Sequence, residues 1–159
     1  MSNEQKIRAR LLVYLNQAHT HAPFAKIAAH FPLAYMNKKL VKLPYTPWML
    51  LEHIRIAQHD MVDFIKNPKY KNLVWPKDYW PSPKQKATQK MWLASVTEYE
   101  RDLKILKTII KNPKNDLLTP IKWGTGQTIF QEVLQIIDHA SYHIGEFVVL
   151  QRMMGIWKK

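Results

Sequence analysis

Three histidines of the chain have the residue type and spacing that a metal site requires. His139 and His143 are four residues apart, so a helix would place both imidazoles on one face. His53 lies in another segment of helical period, four residues before Ala57 and beside the apolar stripe. Three inward imidazoles on two facing helices can converge on one divalent ion. The sequence therefore predicts a metal site at His53, His139 and His143.

A structural role is the alternative interpretation of the same histidines. A pair of histidines at helical spacing is weak evidence by itself, because each ring could be a core residue that bonds a backbone carbonyl or Tyr142. A buried histidine without a partner costs free energy, whereas a metal ion would satisfy all three rings at once. The residues alone leave both interpretations open.

Three further residues are candidates for supporting positions around these histidines. Glu146 follows His143 by three residues and could be a fourth ligand, a general base or a hydrogen-bond acceptor beside the ligands. Asp60 lies seven residues after His53 on the same predicted helix. His19 could approach the same cavity from the first predicted helix.

The composition excludes several other chemistries. The chain has no cysteine, which rules out a disulfide framework, a thiolate zinc site and a cysteine nucleophile. Its 4 glycines cannot form a Walker A loop or a GxGxxG turn, and they disfavour a hairpin-rich β fold. No serine stands in a nucleophile-elbow motif, and none of the three histidines follows a glutamate by three residues. A serine hydrolase and a di-iron carboxylate bundle are therefore not expected.

The charge of the chain points to a second function class. The net charge is +12 and the isoelectric point about 9.9, so a basic helical protein that binds nucleic acid or an acidic partner, with structural histidines, is the alternative function. The lysines are dispersed rather than interleaved with aromatic residues, and nucleic acid is therefore not the expected partner. No apolar stretch approaches the length of about 18 residues that spans a membrane, so we expect a cytoplasmic protein.

Four segments with helical period must position the candidate residues. They run from Ser2 to about Phe31 with a break at Pro23, from Thr46 to Asn67, from Ser82 to Asn112, and from residues 125–128 to Met154. Four amphipathic helices in a single domain of residues 1–159 predict an all-α four-helix bundle. The connection at 68–81 is long enough for the second and third helices to run parallel, and we expect Trp75 and Trp80 to cover a bundle end rather than bind a ligand.

Several motifs spread over most of the chain match the pattern of a known family. These are Ala18-His19, Pro44-Tyr45-Thr46-Pro47-Trp48, Leu51-Glu52-His53-Ile54-Arg55-Ile56-Ala57-Gln58 with Asp60, Trp75-Pro76, Tyr79-Trp80-Pro81, and Asp138-His139 through Tyr142-His143-Ile144-Gly145 to Arg152. In these motifs the chain resembles the DinB-like (damage-inducible protein B-like) family of metal-dependent bundles.

The resemblance implies more than the residues show by themselves. It implies an up-down-down-up bundle in which His53, His139 and His143 hold one nickel or zinc ion. It also implies a metal-dependent enzyme acting on a small molecule, with thiol-dependent transferase or hydrolase chemistry and a low-molecular-weight thiol as cosubstrate. Some relatives form homodimers, so a homodimer is expected. Glu146 departs from the pattern, because glutamine commonly follows the glycine at that position.

Overall fold

The structure is a computed structural model that describes residues 1–16, 21–41 and 43–157 of the chain. Within this part the α-helices are α1 (Asn3–Leu15), α2 (Phe24–Ala29), α3 (Pro47–Lys66), α4 (Gln89–Lys111) and α5 (Ile129–Met153). Short 3₁₀ helices occupy Leu33–Tyr35 and Lys77–Tyr79, and no β-strand forms in the described residues. The described part is therefore all-α, as the sequence predicts.

Side-chain caps determine where the long helices begin. Ser2 with Gln5, and Thr128 with Gln131, each form a reciprocal capping box at the start of α1 and α5. Thr46 caps α3, with a proline at the first helical position. Each such cap satisfies backbone N–H groups that the helix itself leaves free, and contributes about 1 kcal/mol. The predicted starts of these three helices are confirmed.

The first predicted helix is two shorter helices. α1 ends at Leu15, and α2 begins at Phe24, directly after Pro23. A proline lacks the N–H that a continuing helix needs but suits the position before or at a helix start, so the expected break at Pro23 is correct. α2 ends at Ala29, slightly before the predicted Phe31. His19, expected to approach the histidine site from this segment, lies outside the described residues.

The predicted start of the third long helix at Ser82 is wrong, because this helix, α4, begins after Thr88. Ser82 forms only a turn, in which its carbonyl accepts from Gln85 N at 2.9 Å. Two hydrogen bonds from a residue distant in the sequence hold the segment before Thr88 in a non-helical conformation. The Asn37 amide donates to the Ala87 carbonyl at 2.9 Å and accepts from Ala87 N at 2.8 Å. These bonds use the backbone groups that a helix through Ala87 would need.

The apolar stripes of the helices meet in two buried clusters. One cluster centres on aromatic residues, where Trp92 and Phe147 are fully buried and Phe31 stacks on Trp92 at 4.9 Å between ring centroids. The other is aliphatic and includes Val62, Leu106 and other side chains of α1, α3, α4 and α5. Burying a side chain of this size stabilises the fold by roughly 1.5–3 kcal/mol. The three histidines lie along the same core-facing sides of α3 and α5.

Polar contacts reveal the relative direction of α3 and α4. Glu52 accepts from Ser95, and His59 donates to Asp102 at 2.7 Å, so the contacts advance in the same direction along both helices. Gln58 lies between these pairs and donates to a backbone carbonyl of α4 at 2.7 Å. The two helices therefore share a partly polar interface.

Other contacts relate the N-terminal segment and α5 to this pair. α1 packs against α4 and α5, and α3 packs against the same two helices. Arg8 of α1 donates to the Ile110 carbonyl at 2.6 Å, whereas Trp92 donates to the Ala28 carbonyl of α2 at 3.0 Å. Later residues of the N-terminal segment therefore contact α4 closer to its start.

None of the helices in the described part of the chain combines the length and apolarity needed to span a membrane.

The position of the α4 start can be tested with two matched hydroxyl deletions. Thr88→Ala should lower the free energy of unfolding by about 1 kcal/mol, because the hydroxyl accepts from Met91 N at 3.3 Å. Ser82→Ala should change it by no more than about 0.5 kcal/mol, since Ser82 caps no helix. Urea denaturation followed by circular dichroism measures both. A larger effect at Ser82 than at Thr88 would contradict the assignment.

Candidate metal centre

The core-facing sides of α3 and α5 position the three predicted histidines. His53 lies in the second turn of α3 between buried leucine and isoleucine side chains, and is 3% exposed. His139 and His143 are one turn apart on α5, where His143 is 7% exposed and His139 is half-buried. The helical period brings these rings inward for the same reason that it brings the apolar stripe inward.

The ring nitrogens converge on one point. Nε2 of His53 lies 3.2 Å from Nε2 of His143 and 3.2 Å from Nε2 of His139. One ligand atom from each ring lies within 4.8 Å of the others, and this is the one such group found among the described residues. Nitrogens that share a tetrahedral ion at 2.0–2.1 Å are about 3.3 Å apart. The three histidines are therefore close enough to hold one metal ion.

The partners of the outer ring nitrogens determine the tautomers of two rings. Nδ1 of His53 is 3.0 Å from the Tyr79 carbonyl, and Nδ1 of His143 is 2.5 Å from a Glu146 carboxylate oxygen. Both partners accept only, so each Nδ1 carries the proton and donates. A ring with this proton alone has a bare lone pair at Nε2. Two such lone pairs facing each other across 3.2 Å are unfavourable unless a proton or a metal ion lies between them.

Burial keeps the rings of His53 and His139 neutral. The pKa of His139 is lowered to about 3, first by burial and then by its two histidine neighbours. Burial is also the largest cause that lowers the pKa of His53, although its bond to the Tyr79 carbonyl acts in the opposite direction. A histidine must be neutral to donate a lone pair to a metal ion. His53 and His139 therefore have the protonation state of ligands at neutral pH.

Aromatic residues from the connections support the His53 ring. Trp80 stacks flat on it, with ring centroids 4.0 Å apart and planes within 1°. Tyr45 stacks on the other side of Trp80, and its hydroxyl donates to Glu146 at 2.9 Å. Trp75 meets His53 edge-on at 6.2 Å. Both tryptophans therefore contact a site histidine, and the expectation that they cover a bundle end rather than bind a ligand stays a prediction.

Sequence reasoning missed the role of these aromatic residues. Tyr45, Trp75 and Trp80 all lie in the motifs that carry the family resemblance, and that was the available signal. Helical periodicity could not reveal them, because Tyr45 precedes α3 and both tryptophans belong to the connection before α4.

The candidate supporting residues have different positions. Glu146 accepts from His143 and from Tyr45, so of its three possible roles the geometry matches the hydrogen-bond acceptor. Asp60 contacts none of the three histidines and accepts instead from the hydroxyls of Tyr70 and Tyr79. It borders the cavity beside His53 and His139.

The structural interpretation explains only part of this arrangement. His53 does bond a backbone carbonyl through Nδ1, as that interpretation requires, but its Nε2 faces two other imidazole nitrogens. Tyr142 contacts His143 edge-on at 4.8 Å, with its side chain 66% exposed. His59, six residues after His53, bonds Asp102 and stays outside the cluster. That His53, His139 and His143 are metal ligands stays a prediction.

Comparison with known proteins adds no assignment. No protein-family model, no curated protein sequence and no solved structure matches the chain. The function must therefore be argued from the residues of the site.

The lowered pKa of His139 predicts how acid affects the metal-free chain. Below about pH 6.5 the unfolded chain protonates this ring whereas the folded chain does not, so stability falls as the pH drops. Between pH 6.5 and 5 the loss from His139 should be about 1–2 kcal/mol, allowing for its partial exposure. Urea denaturation with a chelator present, compared between wild type and His139→Gln, measures it. An equal loss in both proteins would contradict the assigned shift.

Proposed function

We propose that the chain is a metal-dependent enzyme that holds one divalent ion through Nε2 of His53, His139 and His143. The observation that carries this proposal is the pair of facing lone pairs on His53 and His143, 3.2 Å apart in a buried position. A proton on either Nε2 would cost its Nδ1 the bond to Tyr79 or Glu146, or else would make that buried ring a cation. A bound metal ion would relieve the repulsion without either cost.

The donor set indicates the class of metal. Three neutral imidazoles and no thiolate suit zinc or nickel, and poorly suit calcium or magnesium, which prefer oxygen ligands. An ion held by three side chains keeps a position open, where it can lower the pKa of a water or thiol. In line with the resemblance, we propose zinc or nickel as the ion and a low-molecular-weight thiol as cosubstrate, for transferase or hydrolase chemistry.

The protein groups around the histidines have separate tasks in this proposal. Glu146 holds the His143 ring and places a negative charge beside it, and Tyr45 holds Glu146 in turn. Trp80 covers one face of His53 and excludes water there. His53 and His139 border a cavity of about 210 Å³, which is below the range of roughly 300–1,000 Å³ for drug-sized ligands and so suits only a small substrate.

We further propose that the helices form an up-down-down-up bundle of the DinB-like kind. Two observations support this arrangement. α1 and α3 each pack against both α4 and α5, as opposite members of a four-helix ring would. The bonded pairs advance together along α3 and α4 but in opposite directions along α3 and α5, since Tyr45 before α3 meets Glu146 near the end of α5. A cytoplasmic location, expected from the sequence, and a homodimer, implied by the resemblance, remain part of the proposal.

Metal titration of a chain without a histidine tag tests the proposed ligands. Wild type should bind one equivalent of Zn²⁺ or Ni²⁺, and His53→Ala or His143→Ala should lower the affinity at least about 100-fold, because two imidazoles rarely hold these ions tightly. His59→Ala is the matched control, since His59 lies on the same helix outside the cluster. One tightly bound equivalent in a His53→Ala, His139→Ala double variant would reject the site.

Two substitutions at Glu146 distinguish a hydrogen-bond acceptor from a ligand. Glu146→Gln keeps an oxygen that can accept from His143 Nδ1, so metal affinity should fall no more than about tenfold. Glu146→Leu removes the acceptor and should cost about 10- to 100-fold. Calorimetric titration with Zn²⁺ measures both affinities. Equal and large losses in the two variants would instead indicate that the carboxylate binds the ion.

A further inference from the structure

The cavity beside the histidines has a wall that the metal site does not explain. The wall is formed by Asp60, Trp75 and Tyr79, which line the cavity together with His53 and His139. None of the three wall residues donates a side-chain nitrogen or oxygen to the histidines in the structure. The chemistry of this wall therefore bears on what the cavity binds.

The acidic side of this wall lacks a positive partner. Asp60 accepts from Tyr70 at 2.7 Å and from Tyr79 at 2.6 Å, but forms no ion pair with any described residue. Glu132 is close enough to interact with the charge of Asp60, is 6% exposed, and has no hydrogen bond or ion pair through its side chain within the described part of the chain. Burial, and then the neighbouring Asp60, raise the pKa of Glu132. A buried carboxylate without a cation, such as that of Glu132, is costly, and here it lies near the half-buried Asp60 in a chain of net charge +12.

Aromatic rings complete the wall. The Trp75 and Tyr79 ring centroids are 5.4 Å apart, and Trp75 is 66% exposed although it borders the cavity. The face of a tryptophan or tyrosine ring attracts a cation within about 6 Å. Two rings beside an unpaired carboxylate form the combination that recognises organic ammonium groups.

We propose that this cavity binds the ammonium group of a small amine, with Asp60 supplying the charge and Trp75 and Tyr79 the ring faces. This proposal names the substrate class of the proposed metal-dependent enzyme and therefore rests on that proposed function. Binding of the amine itself needs only the wall residues. A competing explanation is that Asp60 and Glu132 merely offset the charge of the metal ion, in which case the cavity would show no preference for ammonium.

Three ligands of one size separate these explanations. The probe is n-butylammonium, and n-butanol and n-butyrate are the neutral and anionic controls. Ligand-observed NMR gives the affinities, and the indole N–H signal of Trp75, assigned with Trp75→Phe, reports the location. Butylammonium should shift that signal saturably, and both controls should bind at least about tenfold more weakly.

Variants of the wall test the residues. Asp60→Asn should weaken butylammonium binding at least about fivefold, whereas Asp63→Asn on the same helix should leave it unchanged. Trp75→Leu, at a position that is 66% exposed, should weaken it at least about threefold. Equal binding of butanol, undiminished binding by a folded Asp60→Asn variant, or no saturation below roughly 0.1 M would each overturn the proposal.

The same titration separates this proposal from the metal site. It is run on the chain as purified and again after treatment with EDTA. If the chain binds no divalent ion, the proposed function fails, but selective binding of butylammonium still supports the amine pocket. If the chain binds one equivalent of metal and butylammonium binds no better than butanol, only the amine pocket is rejected.

Discussion

The protonation of two buried imidazoles constrains the whole site. Each ring of His53 and His143 has one nitrogen that must carry its proton, because its partner can only accept. When neither ring carries a second proton, the remaining nitrogens are bare and face each other at 3.2 Å. A metal ion held by these two nitrogens and by Nε2 of His139 would replace this repulsion with three favourable bonds. Tyr79 and Glu146 therefore determine how unfavourable the site is without a cation, although neither bonds to an Nε2 atom.

Those residues belong to different parts of the chain, so the site depends on tertiary structure and not on α3 and α5 alone. The acceptor for His53 is a backbone carbonyl at the end of the 3₁₀ helix Lys77–Tyr79. The acceptor for His143 is on α5, but Tyr45 from the segment before α3 holds it. Trp80 then joins the two sides, because it stacks on both His53 and Tyr45. Moving either connection would release a ring nitrogen.

The sequence predicts the helical parts of this arrangement and misses the connections, for physical reasons. The spacing of His139 and His143 and the position of His53 beside an apolar stripe are local features of the sequence. The helical period of 3.6 residues is enough to place these side chains on the core-facing sides of their helices. The start of α4 is not local. Ser82 and Thr88 have similar capping potential, and the choice between them depends on Asn37, whose bonds to Ala87 span 50 residues. The stacking of Trp80 likewise depends on the path of a loop, which no period encodes.

Tyr79 links the two chemistries of the site. Its backbone carbonyl determines the tautomer of His53, while its hydroxyl donates to Asp60 on the acidic wall of the cavity. A displacement of this residue would therefore alter the metal-binding nitrogen and the orientation of the carboxylate together. Glu146 has no such double role, since its bonds reach His143 and Tyr45 but not the acidic wall. The proposed metal site and the proposed amine pocket are thus joined through the 3₁₀ helix, and not through the last turns of α5.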